Sequence, residues 1–141
     1  MSVAPATPAV TSVYPVLMSS DVTAAADFYR DALGFTTTFA TDWYVSLRHG
    51  DHELALLDPD HPTVPAGFGH PVRGVLINVE VDDVDAVHRR LVEEHGCTEI
   101  VPLRDEDFGQ RHVIVEAPDG VLVDVIQPIP PSAEFAAAYS D

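Results

Sequence analysis

Residues 19–34, SSDVTAAADFYRDALG, and residues 81–96, VDDVDAVHRRLVEEHG, decide the fold of this chain. Each follows an apolar, strand-like run, opens on an acidic cap candidate (Asp21 or Asp83) and ends on a glycine (Gly34 or Gly96). Val22, Ala26, Tyr29 and Leu33 recur at helical spacing in the first stretch, as Val84, Val87 and Leu91 do in the second. An aspartate ahead of such a face satisfies free amides of the first turn, and a glycine behind it takes the left-handed conformation that ends a helix. Three strand-like runs follow each helix. A turn precedes the last of them, Arg48-His49-Gly50-Asp51 in one copy and Ala117-Pro118-Asp119-Gly120 in the other. The chain therefore reads as two copies of a βαβββ unit, an α+β fold of two packed curved sheets, with any site expected where the units meet.

Working outward, the first unit is expected over 12–58, with strands Ser12 to Ser19, Phe35 to Ala40, Trp43 to Arg48 and His52 to Leu57. Pro15 has no amide to give a ladder, so the first strand should be an edge or carry a bulge. Residues 59–73, rich in proline and glycine, read as a linker. The second unit is expected over 74–128, with strands Gly74 to Val81, Glu99 to Leu103, Arg111 to Glu116 and Val121 to Gln127. Pro128-Ile129-Pro130-Pro131 stops the last strand, and residues 129–141 form a tail with a short helix within Ser132 to Tyr139. Residues 1–11 read as a loose tail. They lack the basic and apolar regions of a signal peptide.

The 141 residues suffice for one domain with a core and are too few for two independent ones. Composition, 46% hydrophobic and 21% charged, is that of a soluble globular chain with no run long enough for a membrane span. The net charge of −16 repels phosphate backbones and argues against a nucleic-acid partner. That acidity serves solubility or attracts a cationic ligand. Cys97 is alone, so no intrachain disulfide forms, and a cytoplasmic location is the expectation.

Two further motifs resemble those of a known family. Phe28-Tyr29-Arg30-Asp31-Ala32-Leu33-Gly34-Phe35 is similar to the first-helix signature of the vicinal oxygen chelate superfamily. That group holds glyoxalase I, the bleomycin-resistance proteins and the extradiol dioxygenases. Phe108-Gly109-Gln110-Arg111, followed by Ala117-Pro118-Asp119-Gly120-Val121-Leu122-Val123-Asp124, resembles its C-terminal signature. The resemblance implies half-open barrels around a cleft, and often a homodimer. Alternation then turns Val121, Val123 and Val125 to the helix and Leu122, Asp124 and Ile126 to the cleft. Likewise Val75, Ile77 and Val79 pack inward, leaving Leu76, Asn78 and Glu80 in the cleft. Leu54 and Leu56 belong to the core, with Glu53, Ala55 and Leu57 opposite.

Metal-dependent members hold a divalent ion with a pair of side chains from each unit. On the resemblance those positions are Tyr14, Ala55, Leu76 and Asp124, with Glu53 entering if the alignment shifts. Leu76 and Ala55 have no donor atom, and tyrosine is an uncommon ligand for such ions. No metal and no other cofactor is therefore expected. The seven histidines show no ligand spacing. His88 and His95 read as solvated helix residues. His112 reads as a general base near Asp124 or as a partly exposed structural histidine. Cys97 lacks an activating partner, and neither a phosphate-binding glycine loop nor a nucleophile elbow is present.

What remains points to binding. Tyr14, Tyr44, Leu76, Asn78, Glu80, Phe108, His112 and Asp124 are the expected cleft residues, with Trp43 at the rim and no catalytic residue assigned. Aromatic faces stack on planar ligands and carboxylates complement a cation. The resemblance to the metal-free, acidic bleomycin-resistance branch implies sequestration of an aromatic or cationic compound such as an antibiotic. The alternative is a lyase, isomerase or dioxygenase that uses a metal or the Asp124, Glu80 and His112 group.

Overall fold

The computed structural model describes residues 7–139. The outermost parts of both expected tails thus lie outside the described residues. The first unit comprises β1 (Val16–Met18), α1 (Val22–Asp31), β2 (Thr36–Ala40), β3 (Tyr44–His49) and β4 (His52–Leu57). The second comprises β5 (Leu76–Glu80), α2 (Val84–His88, continued by a wider π-helical stretch over Arg89–Glu94), β6 (Glu99–Glu106), β7 (Gln110–Glu116) and β8 (Leu122–Pro128). A short helix, α3 (Ala133–Ala136), follows.

The two sheets repeat one another, in the orders β1-β4-β3-β2 and β5-β8-β7-β6. In each, the opening strand runs parallel to the closing one and the other pairings are antiparallel. The α+β fold of paired βαβββ units is as expected, and neither sheet closes on itself. Both helices begin where the repeat places them. The Asp21 side chain accepts from the Ala24 amide at 3.0 Å and that of Asp83 from the Ala86 amide at 3.1 Å. Gly34 and Gly96 follow the helices at φ +78° and +65°, a region that side chains rarely adopt.

The opening strand is shorter than the expected Ser12 to Ser19. Pro15 cannot donate, so only its carbonyl joins the sheet, accepting from the Ala55 amide at 3.1 Å. In β6 the pairing slips around Pro102, between Val101 and Arg104, which an edge strand tolerates. Alternation sorts the faces as read. Val121, Val123 and Val125 are buried with Val84 and Leu91 of the second helix, while Leu17, Val45, Leu47 and Leu56 are buried with Val22, Ala25, Ala26 and Tyr29 of α1. The core is continuous across both units. Among the described residues no helix is long and apolar enough to cross a membrane.

β1 and β5 are sheet edges, and the seam between the units is bridged by contacts from the helices and turns. One end of that seam is clasped. Asp119 accepts from the Ser19 and Ser20 hydroxyls at 2.6 Å each and from the Ser20 amide at 3.0 Å. The linker amide of Val72 donates to the Met18 carbonyl at 2.7 Å. Elsewhere Arg90, in the π-helical stretch, donates to the Asp31 and Ala32 carbonyls at the end of α1, at 2.8 and 3.3 Å. Two carbonyls left free by one helix end are thus satisfied from the other unit.

Candidate functional site

Where the clasp ends, the seam opens into a cavity of about 820 Å3 between the units. The first unit contributes Pro15, Phe35, Glu53 and Leu54 to its walls, and the second contributes Asn78, Glu80, Val87 and Ile126. The cavity runs past the edge of β5, so it touches that strand on both faces. Ile77 and Val79 line it from the core side, and Asn78 and Glu80 from the other. Its aliphatic walls and Phe35 are interspersed with polar side chains, among them His49, His52, Arg90 and Gln110, as in a small-molecule pocket.

The polar groups differ in how they are held. Glu53 accepts from Arg48 at 2.9 Å and from Ser12 at 2.8 Å, and these bonds hold its carboxyl below the usual range. Among the described residues Glu80 makes no side-chain hydrogen bond and no ion pair. It is exposed on the edge strand with its charge uncompensated.

A second polar centre lies on the face of the second sheet turned away from the helix. His112 and Asp124 are only 5% and 7% exposed, the most buried titratable pair among the described residues. His112 Nδ1 lies 2.7 Å from Asp124 Oδ1, and its Nε2 lies 2.9 Å from Glu106 Oε2. Glu106 in turn pairs with Arg104 at 3.0 Å. Carboxylates only accept, so a ring that donates to both carries two protons. Burial alone would lower the His112 pKa, but the hydrogen bonds and charges of Glu106 and Asp124 outweigh it and raise it. Bonds from His112 and Arg104 hold Glu106 low. The chain Asp124–His112–Glu106–Arg104 is therefore charge-balanced within the protein. It leaves His112 with no free nitrogen for a base.

The eight residues expected in one cleft are distributed over several places. Asn78 and Glu80 line the cavity. His112 and Asp124 face each other in the buried pair. Leu76, 45% exposed, sits beside Leu122 at the start of β5. Tyr14 precedes β1, and Tyr44 lies on the first sheet against Phe39 and Trp43. Phe108 sits in the β6–β7 turn, its ring edge-on to Phe135 at 6.1 Å. Trp43, expected at the rim, stacks on His61 of the linker at 3.7 Å. Period-2 reasoning assigns faces within a sheet, and the cavity is a gap between units, so nothing in the strand pattern singled out Pro15, Phe35 or Arg90 for it. Glu106 was also missed, although it stands one strand from His112 in an alternating run.

The metal-ligand positions of the resemblance do not form a donor set here. Ala55 is fully buried and Leu76 is aliphatic. The Asp124 carboxylate is taken by an imidazolium, and Tyr14 lies outside the strand. Among the described residues no group of three or more His, Cys, Asp or Glu is placed to hold an ion.

Comparison with known proteins agrees with this architecture. A protein from Nocardioides described as a glyoxalase/bleomycin resistance protein/dioxygenase superposes with a TM-score of 0.70 at 23% identity, over 87% of each chain. Lactoylglutathione lyase from Agrobacterium tumefaciens gives 0.68 at 23% identity, over 84% of this chain and 95% of that one. An antibiotic-binding protein from Streptomyces sp. CB03234 gives 0.64 at 29% identity, over 86% of this chain and 99% of that one. The sequence matches no curated protein. The family model for the Glyoxalase/Bleomycin resistance protein/Dioxygenase superfamily matches residues 11–125. With its repeated βαβββ units and that match, the chain belongs to the glyoxalase/bleomycin resistance protein/dioxygenase superfamily.

Proposed function

We propose that this protein binds a planar, cationic small molecule in the cavity between its units, without a metal ion, and sequesters it rather than transforming it. The observation that carries this reading is a mixed apolar and polar cavity of about 820 Å3 in which the Glu80 carboxylate has no partner among the described residues, while the one arginine of its wall, Arg90, is engaged by the Asp31 and Ala32 carbonyls. Such a site favours a ligand with a flat apolar body and a positive charge. Three further points support it. Two of the superfamily's four metal positions, Ala55 and Leu76, lack a donor atom, the buried histidine is fully engaged, and the 29%-identical Streptomyces neighbour is an antibiotic-binding protein. The net charge of −16 adds a field that draws cations in.

We also propose a homodimer, because Val16 and Phe39, 40% and 55% exposed, stand at opposite ends of one row across the first sheet. Apolar side chains left open in this way mark surfaces that a second copy covers. A monomeric mass by light scattering refutes that part.

The binding reading is tested with 9-aminoacridine, a planar cation, and acridine-9-carboxylate, the same ring system with a negative charge. A ligand at a hundred times its dissociation constant stabilises the folded state by about 2.7 kcal/mol, a plain rise in melting temperature. The cation is expected to raise it and the anion is not. Equal shifts, or none, overturn the proposal. Stoichiometric Zn, Ni, Fe or Mn retained through dialysis favours the enzyme alternative.

A further inference from the structure

Beyond the main cavity, a smaller one of about 230 Å3 lies under the C-terminal segment. The two share Glu80, Gln110 and Ile126 as walls. Those three side chains belong to one patch of the second sheet. Glu80 and Ile126 are cross-strand neighbours, and Gln110 stands opposite Pro128 on the next turn of the ladder.

The remaining walls of the smaller space come largely from the strap that follows β8. Ile129, Pro131 and Tyr139 line it, beside Pro128 at the end of β8. The strap is fastened to the β6–β7 turn at several points. The Ile129 amide donates to the Gly109 carbonyl at 3.0 Å and the Ser132 amide to the Asp107 carbonyl at 2.8 Å. The Tyr139 hydroxyl donates to the Phe108 carbonyl, and Phe135 packs edge-on against the Phe108 ring. Gly109 leaves room for this crossing. A Cβ there would stand 3.0 Å from the Ile129 carbonyl oxygen and 3.1 Å from the Tyr139 hydroxyl.

We infer that the space under the strap is a second compartment of the ligand site, and that the ligand carries a protonated alkylamine arm which passes Glu80 into it. This rests on the binding reading above and adds the chemical class of the ligand. The argument is one of fit. At about 30 Å3 per water, the space holds some seven waters, room for a short alkyl chain. Its proline, isoleucine and tyrosine walls suit methylenes. The neck holds a carboxylate that pairs with no cation among the described residues, and an ammonium passing it gains a charge-assisted hydrogen bond. The Gln110 side-chain carbonyl at the same neck is a second acceptor.

The test compares 9-aminoacridine with its 3-aminopropyl derivative, which carries a second amine on a short arm, by fluorescence titration. In the native protein the arm is expected to tighten binding about tenfold, the scale of one charge-assisted bond. In Glu80→Gln that ratio is expected to fall to between one and two. In Phe135→Ala, which loosens the strap and leaves Glu80 in place, the ratio is expected to fall as well. A tenfold ratio that survives both substitutions overturns the inference. So does an arm that adds nothing in the native protein while 9-aminoacridine still binds, and in that case the binding reading stands. If 9-aminoacridine itself fails to bind, both readings fall together.

Discussion

Replacing His112 with leucine is expected to cost about 3 to 5 kcal/mol at neutral pH, the cost of stripping the partner from a buried charge. Leucine roughly conserves volume, so the cavity contribution is small and the electrostatic one dominates. Asp124 is 7% exposed, and its one side-chain partner among the described residues is the His112 ring at 2.7 Å. Glu106 keeps Arg104 and suffers less. Adding Asp124→Asn to His112→Leu removes the stranded charge while keeping its shape. The double variant should then lie about 1 to 3 kcal/mol below the native protein, the range for a buried polar group without a partner.

The measurement is urea unfolding followed by far-UV circular dichroism, with free energies from linear extrapolation. The pH dependence has a definite sign. The folded state holds the His112 proton more tightly than the unfolded chain does. Its contribution is therefore complete below the unfolded value of about 6.5 and is lost as pH rises through the raised folded one. The gap between native and His112→Leu should narrow on going alkaline. A cost under about 1 kcal/mol, or no recovery in the double variant, would refute the charge-balanced clamp.

Two further changes probe the seam and the core. Asp119→Asn weakens the three bonds that clasp Ser19 and Ser20, and is expected to cost about 1 to 2 kcal/mol at neutral pH. Burial would raise the Asp119 pKa, but the serine bonds outweigh it and hold it low. The native advantage is thus present above the unfolded value of about 3.9 and disappears as pH falls through the folded one, which paired thermal melts in acid and at neutral pH will show. Tyr29→Phe should be neutral or stabilising by up to about 1 kcal/mol, because the Tyr29 hydroxyl is buried with no protein partner. A loss of more than that in calorimetry would mean a hidden bond to that hydroxyl.

Much of the fold was legible because its signals are local. Asp21 and Asp83 cap helices by bonding amides three residues on, and Gly34 and Gly96 end them by backbone conformation, so each acts within its own turn. Val121, Val123 and Val125 fall on the core face through the pleat alone. The same alternation turned Asn78, Glu80, Asp124 and Ile126 away from the helix. It could not say which of them would find partners. Asp124 is satisfied by His112 across the ladder and Glu80, among the described residues, by nothing, though both read as cleft residues. Phe108 reads as a cleft aromatic until the strap brings Phe135 against it. Asp119 reads as a turn residue, yet it accepts from Ser19 and Ser20, far away in the sequence.

By itself, then, the sequence determined the repeat, the helix ends and the inner face of each strand. Each of these depends on backbone geometry within a few residues. The tertiary structure alone decided that Asp124 finds a partner and Glu80 does not, where the units part to leave a cavity, and how the C-terminal strap encloses the smaller space beside it. Those outcomes depend on distances between segments that are remote in the chain, and no local pattern encodes such distances.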